Sequence, residues 1–361
     1  MLEKKLVIIG GGPSGLSAAR RAAEAGVPVL LIDRNPRLGG QLIKQTHIFF
    51  GSEKQYAKTR GIDIGEKLAS FVLNNPLIEV MEDATVVGLY PDKVLTVLKE
   101  NAYLKIKAEA VIIATGASEK VLAFENNDLP GIYGAGAVQT LMNVYGVKPG
   151  NKILMVGSGN IGLIVSYQLM QAGVEVVSVI EAASRIGGYK VHAAKLKRLG
   201  VEIRTSATIK RALGDKQVEG ALVISLDENW QEIPKTEKTY QVDGICIAVG
   251  LTPLAGLATM VGCNMVYIPE LGGLVPERKN GFCTSIPWIF ISGDASGIEE
   301  ASSAIVEGEL TGLEAAASLG YLHPEMEKLK TELREDLRTL RSGPFGSKIR
   351  IGLQKVEVFN V

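Results

Sequence analysis

Three glycines, Gly10, Gly12 and Gly15, stand at G-x-G-x-x-G spacing behind the apolar run Leu6 to Ile9, and an acid, Asp33, closes the next apolar run, Val29 to Ile32. Residues in that order suit a dinucleotide. The first glycine makes a tight turn, the second lets backbone approach a pyrophosphate, and the third lets a helix lie close on the strand. The acid is placed to accept hydrogen bonds from ribose hydroxyls. A helix opening at Pro13, Ser14 and Gly15 would turn its free N–H groups and partial positive charge toward the phosphates. The chain then repeats the pattern: Gly157, Gly159 and Gly162 follow Ile153 to Val156, with Asn160 and Ile161 at the helix start, and Glu181 ends the next strand. The match extends to Arg37-Leu38-Gly39-Gly40 and Arg185-Ile186-Gly187-Gly188, each a few residues after its acid. Two such fingerprints imply two nucleotide sites, for which electron transfer between two cofactors is the commonest reason.

Position in the chain assigns the sites. The first unit opens the sequence and precedes a long insertion, as in flavin-binding domains, so it is expected to take FAD. The second lies mid-chain and is expected to take a nicotinamide. Glu181 would bond a free 2′-hydroxyl and repel a 2′-phosphate, which favours NAD over NADP, and nearby Arg185 works against that preference. Further FAD contacts are expected from Arg34, Gly40 and Gln41 after the first acid, from the small-residue turn at Thr115 and Gly116, and from Gly293 and Asp294 ahead of a helix. A carboxylate at Asp294 could bind ribityl hydroxyls, and the following helix would aim its N-terminus at the flavin pyrimidine. The competing role for Asp294 is a helix cap. His47, beside Gln45 in the basic loop that holds Lys44, Lys54, Lys58 and Arg60, is the candidate catalytic residue. A lone loop histidine more often serves structure, and both readings stay open.

The elements that must position these residues are legible from apolar pattern and turn signals. The expected fold class is α/β, with two Rossmann-like (three-layer ββα) dinucleotide-binding domains, the NAD-binding one inserted in the FAD-binding one. The expected bounds are 1–118 and 251–322 for the FAD-binding domain, 119–250 for the insert, and 323–361 for a C-terminal helix and tail. In that tail Met326, Leu329, Leu333, Leu337 and Leu340 follow helical spacing. Gly343-Pro344 breaks the pattern, and Ile349, Ile351, Val356 and Val358 read as a short extended stretch. The tail helix either packs on its own domain or docks on a partner chain.

Bulk properties exclude several classes. Lys plus Arg number 39 and Asp plus Glu 39, a balance that gives no sign of a nucleic-acid or acidic-membrane partner. Cys246, Cys263 and Cys283 lie far apart, with neither a C-x-x-C nor metal-ligand spacing, so no metal site is expected and the thiols suit a reducing compartment. The stretch Ile153 to Ile180 carries one charged residue, Glu175, over a span long enough to cross a bilayer. Its glycine spacing explains it better as strand, turn, helix and strand. With MLEKK running straight into the first strand, a soluble, cytoplasmic protein without a transmembrane segment is expected.

With GGGPSG, the ATG turn, GSGNIG and GD before a helix in this order, the chain resembles the two-dinucleotide-domain flavoprotein family that includes thioredoxin reductase. The resemblance spans roughly Leu6 to Leu319 and implies FAD in the outer domain and NAD(P) in the insert. Thioredoxin reductase carries a redox C-x-x-C in its insert, which this sequence lacks. The stretch DLPGIYGAGAVQTLMNVYGVKPGNKILMVGSGNIGL is more similar to alpha subunits of heteromeric amine-oxidising enzymes: sarcosine oxidase, opine oxidase, hydrogen cyanide synthase and dye-linked proline dehydrogenase. That resemblance implies a second flavoprotein subunit bearing the amine- or amino-acid-oxidising site. It also implies that any iron–sulfur cluster sits on another chain, such as a small iron–sulfur protein. The leading reading is thus an FAD-dependent oxidoreductase that serves as the electron-transfer or alpha chain of an amine or amino-acid dehydrogenase. A stand-alone NADH:acceptor reductase and a non-catalytic nucleotide-binding assembly subunit remain as alternatives.

Overall fold

The computed structural model describes residues 1–50, 52–279, 282–344 and 346–356. The chain divides into two compact units: unit 1 is Met1–Ser118 with Thr252–Val361, and unit 2 is Glu119–Leu251.

Unit 1 is built on β1 (Leu2–Ile9), α1 (Pro13–Glu24), β2 (Val29–Ile32), α2 (Gly61–Leu73), β3 (Ile78–Met81), β4 (Ala84–Leu89), β5 (Val94–Lys99) and β6 (Ala102–Ile113). The chain leaves through β7 (Ala117–Glu119). In unit 2 follow β8 (Ile132–Gly134), α3 (Ala135–Asn143), β9 (Lys152–Val156), α4 (Asn160–Gln171), β10 (Glu175–Ile180), α5 (Lys190–Arg198), β11 (Glu202–Arg204), β12 (Ala207–Leu213), β13 (Gly220–Ser225), β14 (Lys238–Tyr240) and β15 (Gly244–Ile247). The chain returns through β16 (Leu251–Pro253) and completes unit 1 with α6 (Gly256–Val261), β17 (Met265–Ile268), β18 (Gly273–Pro276), β19 (Ile289–Ile291), α7 (Ala301–Ser318), α8 (Met326–Leu340) and α9 (Gly346–Val356).

The sheet of unit 1 runs β3-β2-β1-β6-β5-β4, and β19 also pairs with β6. β6 is long enough to serve two neighbours: Ala102 to Lys107 pair antiparallel with β5, while Val111 to Ile113 pair parallel with β19. Apolar residues on both faces explain why β1 reads as a continuous run. Leu6 and Ile8 pack with α1, α2 and α7, whereas Val7 and Ile9 pack with β4, β5 and α6. All four are at most 5% exposed, and each such burial is worth roughly 1.5–3 kcal/mol.

The alanine content of α1 has a packing cause. A Cβ on Gly308 of α7 would lie 2.1 Å from the Ser14 carbonyl oxygen, and one on Gly312 would lie 2.4 Å from that of Ala18. Only small residues let two helices meet backbone to backbone in this way. Glu309, one residue after Gly308, accepts from Arg21 Nη2 at 2.7 Å and Nε at 3.0 Å and also pairs with Arg20, which pins the crossing.

Unit 2 repeats the scheme. Its parallel sheet, β11-β10-β9-β15-β8, buries Met155, Val179 and Cys246 with α3, α4 and α5. On the other face Leu154, Ile180 and Ile245 pack against the antiparallel sheet β12-β13-β14. The apolar stretch Ile153 to Ile180 is therefore β9, α4 and β10. Among the described residues no helix is long and apolar enough to cross a membrane.

The C-terminal segment departs from one expectation. Met326, Leu333 and Leu337 of α8 do pack on Val306, Leu310 and Leu313 of α7, so this helix covers its own unit. The following residues are helix α9 rather than an extended stretch. Ile349, Leu353 and Val356, spaced by four and three, pack on Ile268, Leu271 and Val275, while Ile351 is 48% exposed. The two-residue alternation Ile349–Ile351 imitates a strand, but Leu353 completes a helical spacing that buries one face. Val358 lies outside the described residues.

Candidate functional site: two matching glycine loops

In unit 1 the loop after β1 is folded by contacts that leave no room for side chains. Gly10 has φ +111°, and a Cβ there would stand 2.3 Å from the Ala114 carbonyl oxygen. A Cβ on Gly15 would stand 1.8 Å from the Gly10 carbonyl oxygen. Unit 2 reproduces this geometry: Gly157 has φ +108° with Ala248 O at 2.3 Å, and Gly162 meets Gly157 O at 2.2 Å. The N–H of Gly10 bonds Ile32 O at 2.8 Å, and that of Gly157 bonds Ile180 O at 2.8 Å. Helices α1 and α4 are N-capped by Gly12 and Gly159, which carry no side chain to satisfy the first-turn donors, and neither helix has an acid in its first turn. Such a terminus attracts an anion.

Each loop is locked by the acid at the next strand's end. Asp33, 6% exposed, accepts from the N–H of Gly11 at 2.5 Å through Oδ2. Its Oδ1 accepts from the Asn35 N–H at 2.7 Å and Nδ2 at 3.0 Å. Glu181 does the same in unit 2, with Oε2 accepting from Ser158 N at 2.9 Å and Oγ at 2.7 Å, and Oε1 from Ala183 N at 2.9 Å. The second glycine pairs fold back onto these loops: Gly39 N–H donates to Gly11 O at 2.8 Å, and Gly188 N–H to Ser158 O at 2.8 Å. A Cβ on Gly40 would lie 2.6 Å from Gly12 Cα. Asn160 spends its Oδ1 on the Tyr189 N–H at 2.8 Å, and its neighbour Ile161 is 40% exposed.

The structure thus brings Gly10, Gly12, Pro13, Ser14, Gly15, Asp33 and Gly40 together, with Thr115 N 3.3 Å from the Cβ position of Gly10. Thr115 Oγ1 donates to Leu254 O at 2.6 Å, and Gly116 O accepts from Leu254 N at 2.9 Å. Gly293 joins the loop from the far end of the sequence: its Cβ position is 2.8 Å from Ser14 Cβ, and the hydroxyls of Ser14 and Ser292 lie 2.5 Å apart. Arg34 and Gln41 are exposed. His47 stacks on Phe49 with ring centroids 5.6 Å apart, and its carbonyl takes the Gly61 N–H at 3.3 Å.

Asp294 follows in a short 3-10 turn, Gly293–Ala295, where Oδ1 accepts the Glu299 N–H at 3.3 Å. Burial pushes its carboxyl up to about 7, and the charges of Glu307 and Glu299 add to the shift. Sequence reasoning missed these two acids. Glu307, 2% exposed, accepts the Gly293 N–H at 2.9 Å and the Ser296 hydroxyl at 3.3 Å through Oε2. For Glu307 the signal was present in α7, a largely buried helix whose acids demand partners, whereas Glu299 precedes that helix and carries no such signal. Burial also raises the thiols of Cys246, Cys263 and Cys283, which keeps all three protonated at neutral pH.

Residues 4–308 match the pyridine nucleotide-disulphide oxidoreductase family. The chain belongs to this family. Its relatives include the A chain of opine oxidase from Agrobacterium tumefaciens (strain Ach5), 25% identical, covering 94% of this oxidoreductase and 71% of that protein. The alpha chain of sarcosine oxidase from Corynebacterium sp. (strain P-1) is 26% identical, with 88% of this chain matched. This chain spans only 33% of that protein's length. The fold matches T. acidophilum thioredoxin reductase at TM-score 0.72 and 20% identity, over 88% of this chain and 99% of that one. It matches L-proline dehydrogenase from P. horikoshii at TM-score 0.69 and 24% identity, over 92% of this chain and 59% of that one. The two-domain α/β fold and the oxidoreductase class are therefore settled for this family member.

Proposed function

We propose that unit 1 binds FAD, that unit 2 binds NAD, and that the chain passes electrons between them or onward within a heteromeric amine or amino-acid dehydrogenase. The observation that carries this reading is the pair of matching glycine loops, each ending in an uncapped helix N-terminus and locked by an acid. Bound FAD would supply the two-electron redox chemistry; the chain's residues bind, orient and polarise. The first turn of α1 would receive a diphosphate, which the glycines let approach the backbone. Asp33 holds that loop and offers its remaining acceptor capacity to ribose hydroxyls. Asp294 would bind a ribityl hydroxyl.

In unit 2, α4 and Glu181 would play the same parts for NAD, and the carboxylate would repel the 2′-phosphate of NADP. The names of the relatives support a larger assembly, since the opine oxidase A chain, the sarcosine oxidase alpha chain and HcnB of hydrogen cyanide synthase are all subunits. A second flavoprotein subunit, which would admit the amine or amino acid, and a small iron–sulfur protein are the partners proposed. The three free cysteines, two of them buried, support electron exit by a route other than a dithiol relay.

The test is to purify the chain, measure bound FAD, and add NADH without oxygen. FAD at one equivalent with bleaching of its visible band supports both sites. A folded protein that takes up no FAD from excess would sink the reading of unit 1, and bound FAD that NADH leaves oxidised would sink that of unit 2.

A further inference from the structure

The turn carrying Asp294 is backed by a buried charge that reaches it from the C-terminal segment. Arg341 caps the C-terminus of α8, and its side chain is 11% exposed. Its guanidinium donates to both oxygens of Glu299, Nη2 to Oε1 at 2.7 Å and Nε to Oε2 at 3.0 Å, and Nη2 also bonds Glu307 Oε1. The other oxygen of Glu307 holds the Gly293 N–H, and the Glu299 N–H is on Asp294. Arg278, 3% exposed, adds a hydrogen bond from Nη1 to Ser296 O at 3.3 Å. One arginine thus reaches the Gly293–Asp294 turn through two acids.

A simple staple for α8 is a poor explanation. Apolar contacts already seat this helix on α7. Burying a guanidinium with two carboxylates is costly, and well-packed apolar side chains usually serve stability as well or better. What the arginine does alter is charge: together with Arg278, which also acts on Glu307, it offsets Glu299 and Glu307 behind a carboxyl that their charges already push up. Burial works against the charge of Arg341 itself, and the two acids more than offset it. The family match ends at residue 308, just past Glu307, whereas Arg341 lies well beyond it. The acid lies within the family match and its counterion beyond it.

We propose that Arg341 is a positioning residue for the FAD site, acting through Glu307 and Glu299 on the Gly293–Asp294 turn so that the C-terminal helix sets flavin affinity and reduction potential. The proposal rests on unit 1 being the FAD site. Removing the cation would leave net negative charge near the flavin and disfavour its reduced form, which gathers negative charge. Removing Glu307 charge would do the opposite.

The experiment measures FAD dissociation constant and two-electron midpoint potential at pH 8 for the full-length chain and for R341M, R341K, E307Q and E307Q/R341M. R341M is expected to bind FAD at least tenfold more weakly. Its oxidised form should be favoured at least tenfold over the reduced form relative to wild type, a fall of about 30 mV for a two-electron couple. R341K should recover most of both changes. E307Q should raise the potential, and E307Q/R341M should lie between the two single variants. Unchanged potential and affinity in R341M, or E307Q shifting the potential in the same direction as R341M, would overturn the role of Arg341. Should R341M fold poorly, E307Q and R341K still decide the sign. A wild-type protein without FAD affinity would instead remove the flavin reading itself, so the two failures are distinguishable.

Discussion

The two glycine loops agree to within a few tenths of an ångström in their tightest contacts and differ in what surrounds the helix that follows. In unit 1 the start of α1 is covered: Ser14 is 5% exposed, bonded to Ser292, and crossed by Gly308 of α7. In unit 2 the corresponding Ile161 is 40% exposed, and Asn160 is tied to its own loop. Unit 1 also has a second strand end, Gly293–Asp294, backed by buried acids. The same glycine loop can thus be covered by a packed helix or left accessible. The first suits a resident cofactor whose affinity is raised by pre-organisation, and the second a ligand that exchanges. Substitutions in the two loops and their supports should separate the units, and substitutions in α9 should show how far unit 1 extends.

The largest effect is expected for Gly308→Val, because the added Cβ would sit 2.1 Å from Ser14 O at the crossing of α7 over α1. Overpacking of this kind costs about 3 kcal/mol or more. Thermal unfolding should drop accordingly and FAD content should collapse, while Gly162→Val in unit 2 leaves FAD bound and abolishes reduction by NADH. Equal FAD loss in both variants would erase the distinction.

Next comes Asp294→Asn. A carboxyl raised to about 7 in the folded protein holds a proton that the unfolded chain, with its ordinary value near 4, releases. The folded state therefore binds more protons between those two values, and stability falls as pH rises through that window. Asparagine removes this dependence. The variant without cofactor should be more stable at pH 7 by up to a few kcal/mol, with its pH–stability curve flattened between about 4 and 7, yet bind FAD more weakly. Urea titrations at pH 5 and 7 measure it, and an unchanged slope would refute the raised carboxyl.

Asp33→Ala and Glu181→Ala should each cost about 1–3 kcal/mol, the penalty for leaving loop N–H groups unsatisfied. The first should lower FAD affinity, the second only NADH affinity, and Glu181→Ala should also narrow the preference for NADH over NADPH by roughly tenfold. Titration of each variant with both nucleotides reads this directly. The smallest effect is expected at Ile351, where Ile351→Ser should change stability by about 0.5 kcal/mol or less, against about 2–4 kcal/mol for Leu353→Ala on the packed face of the same helix. A larger loss at Ile351 would contradict the helical face assigned to α9.

Much of this comparison was legible in the sequence, because its physics is local. Gly10, Gly12, Gly15 and Asp33, and their repeats in unit 2, declare a turn, a close approach and a strand end within about thirty residues. The same locality made α8 readable from Met326, Leu333 and Leu337. What escaped depends on long-range pairing. Asp33 and Glu181 read as ribose acceptors, but their first use in the structure is to lock Gly11 and Ser158. Nothing near Arg341 announces that Glu299 and Glu307 await it, and α7 advertises buried acids without naming their partners. The misread of α9 was of another kind: an alternating pair of isoleucines outweighed a helical triplet that includes Leu353.

The hydroxyl bridge between Ser14 and Ser292 has a consequence for how the protein is made. The face of α1 that receives α7, and the half of β6 that receives β19, are both synthesised before their partners, with the whole of unit 2 emerging in between. Unit 2 is contiguous and can fold as it leaves the ribosome, whereas unit 1 must wait with an unpaired strand edge and an uncovered small-residue helix. Until that late, long-range contact closes, the strand edge and helix face stay open to non-native pairing, and its closure should be the slow phase of refolding.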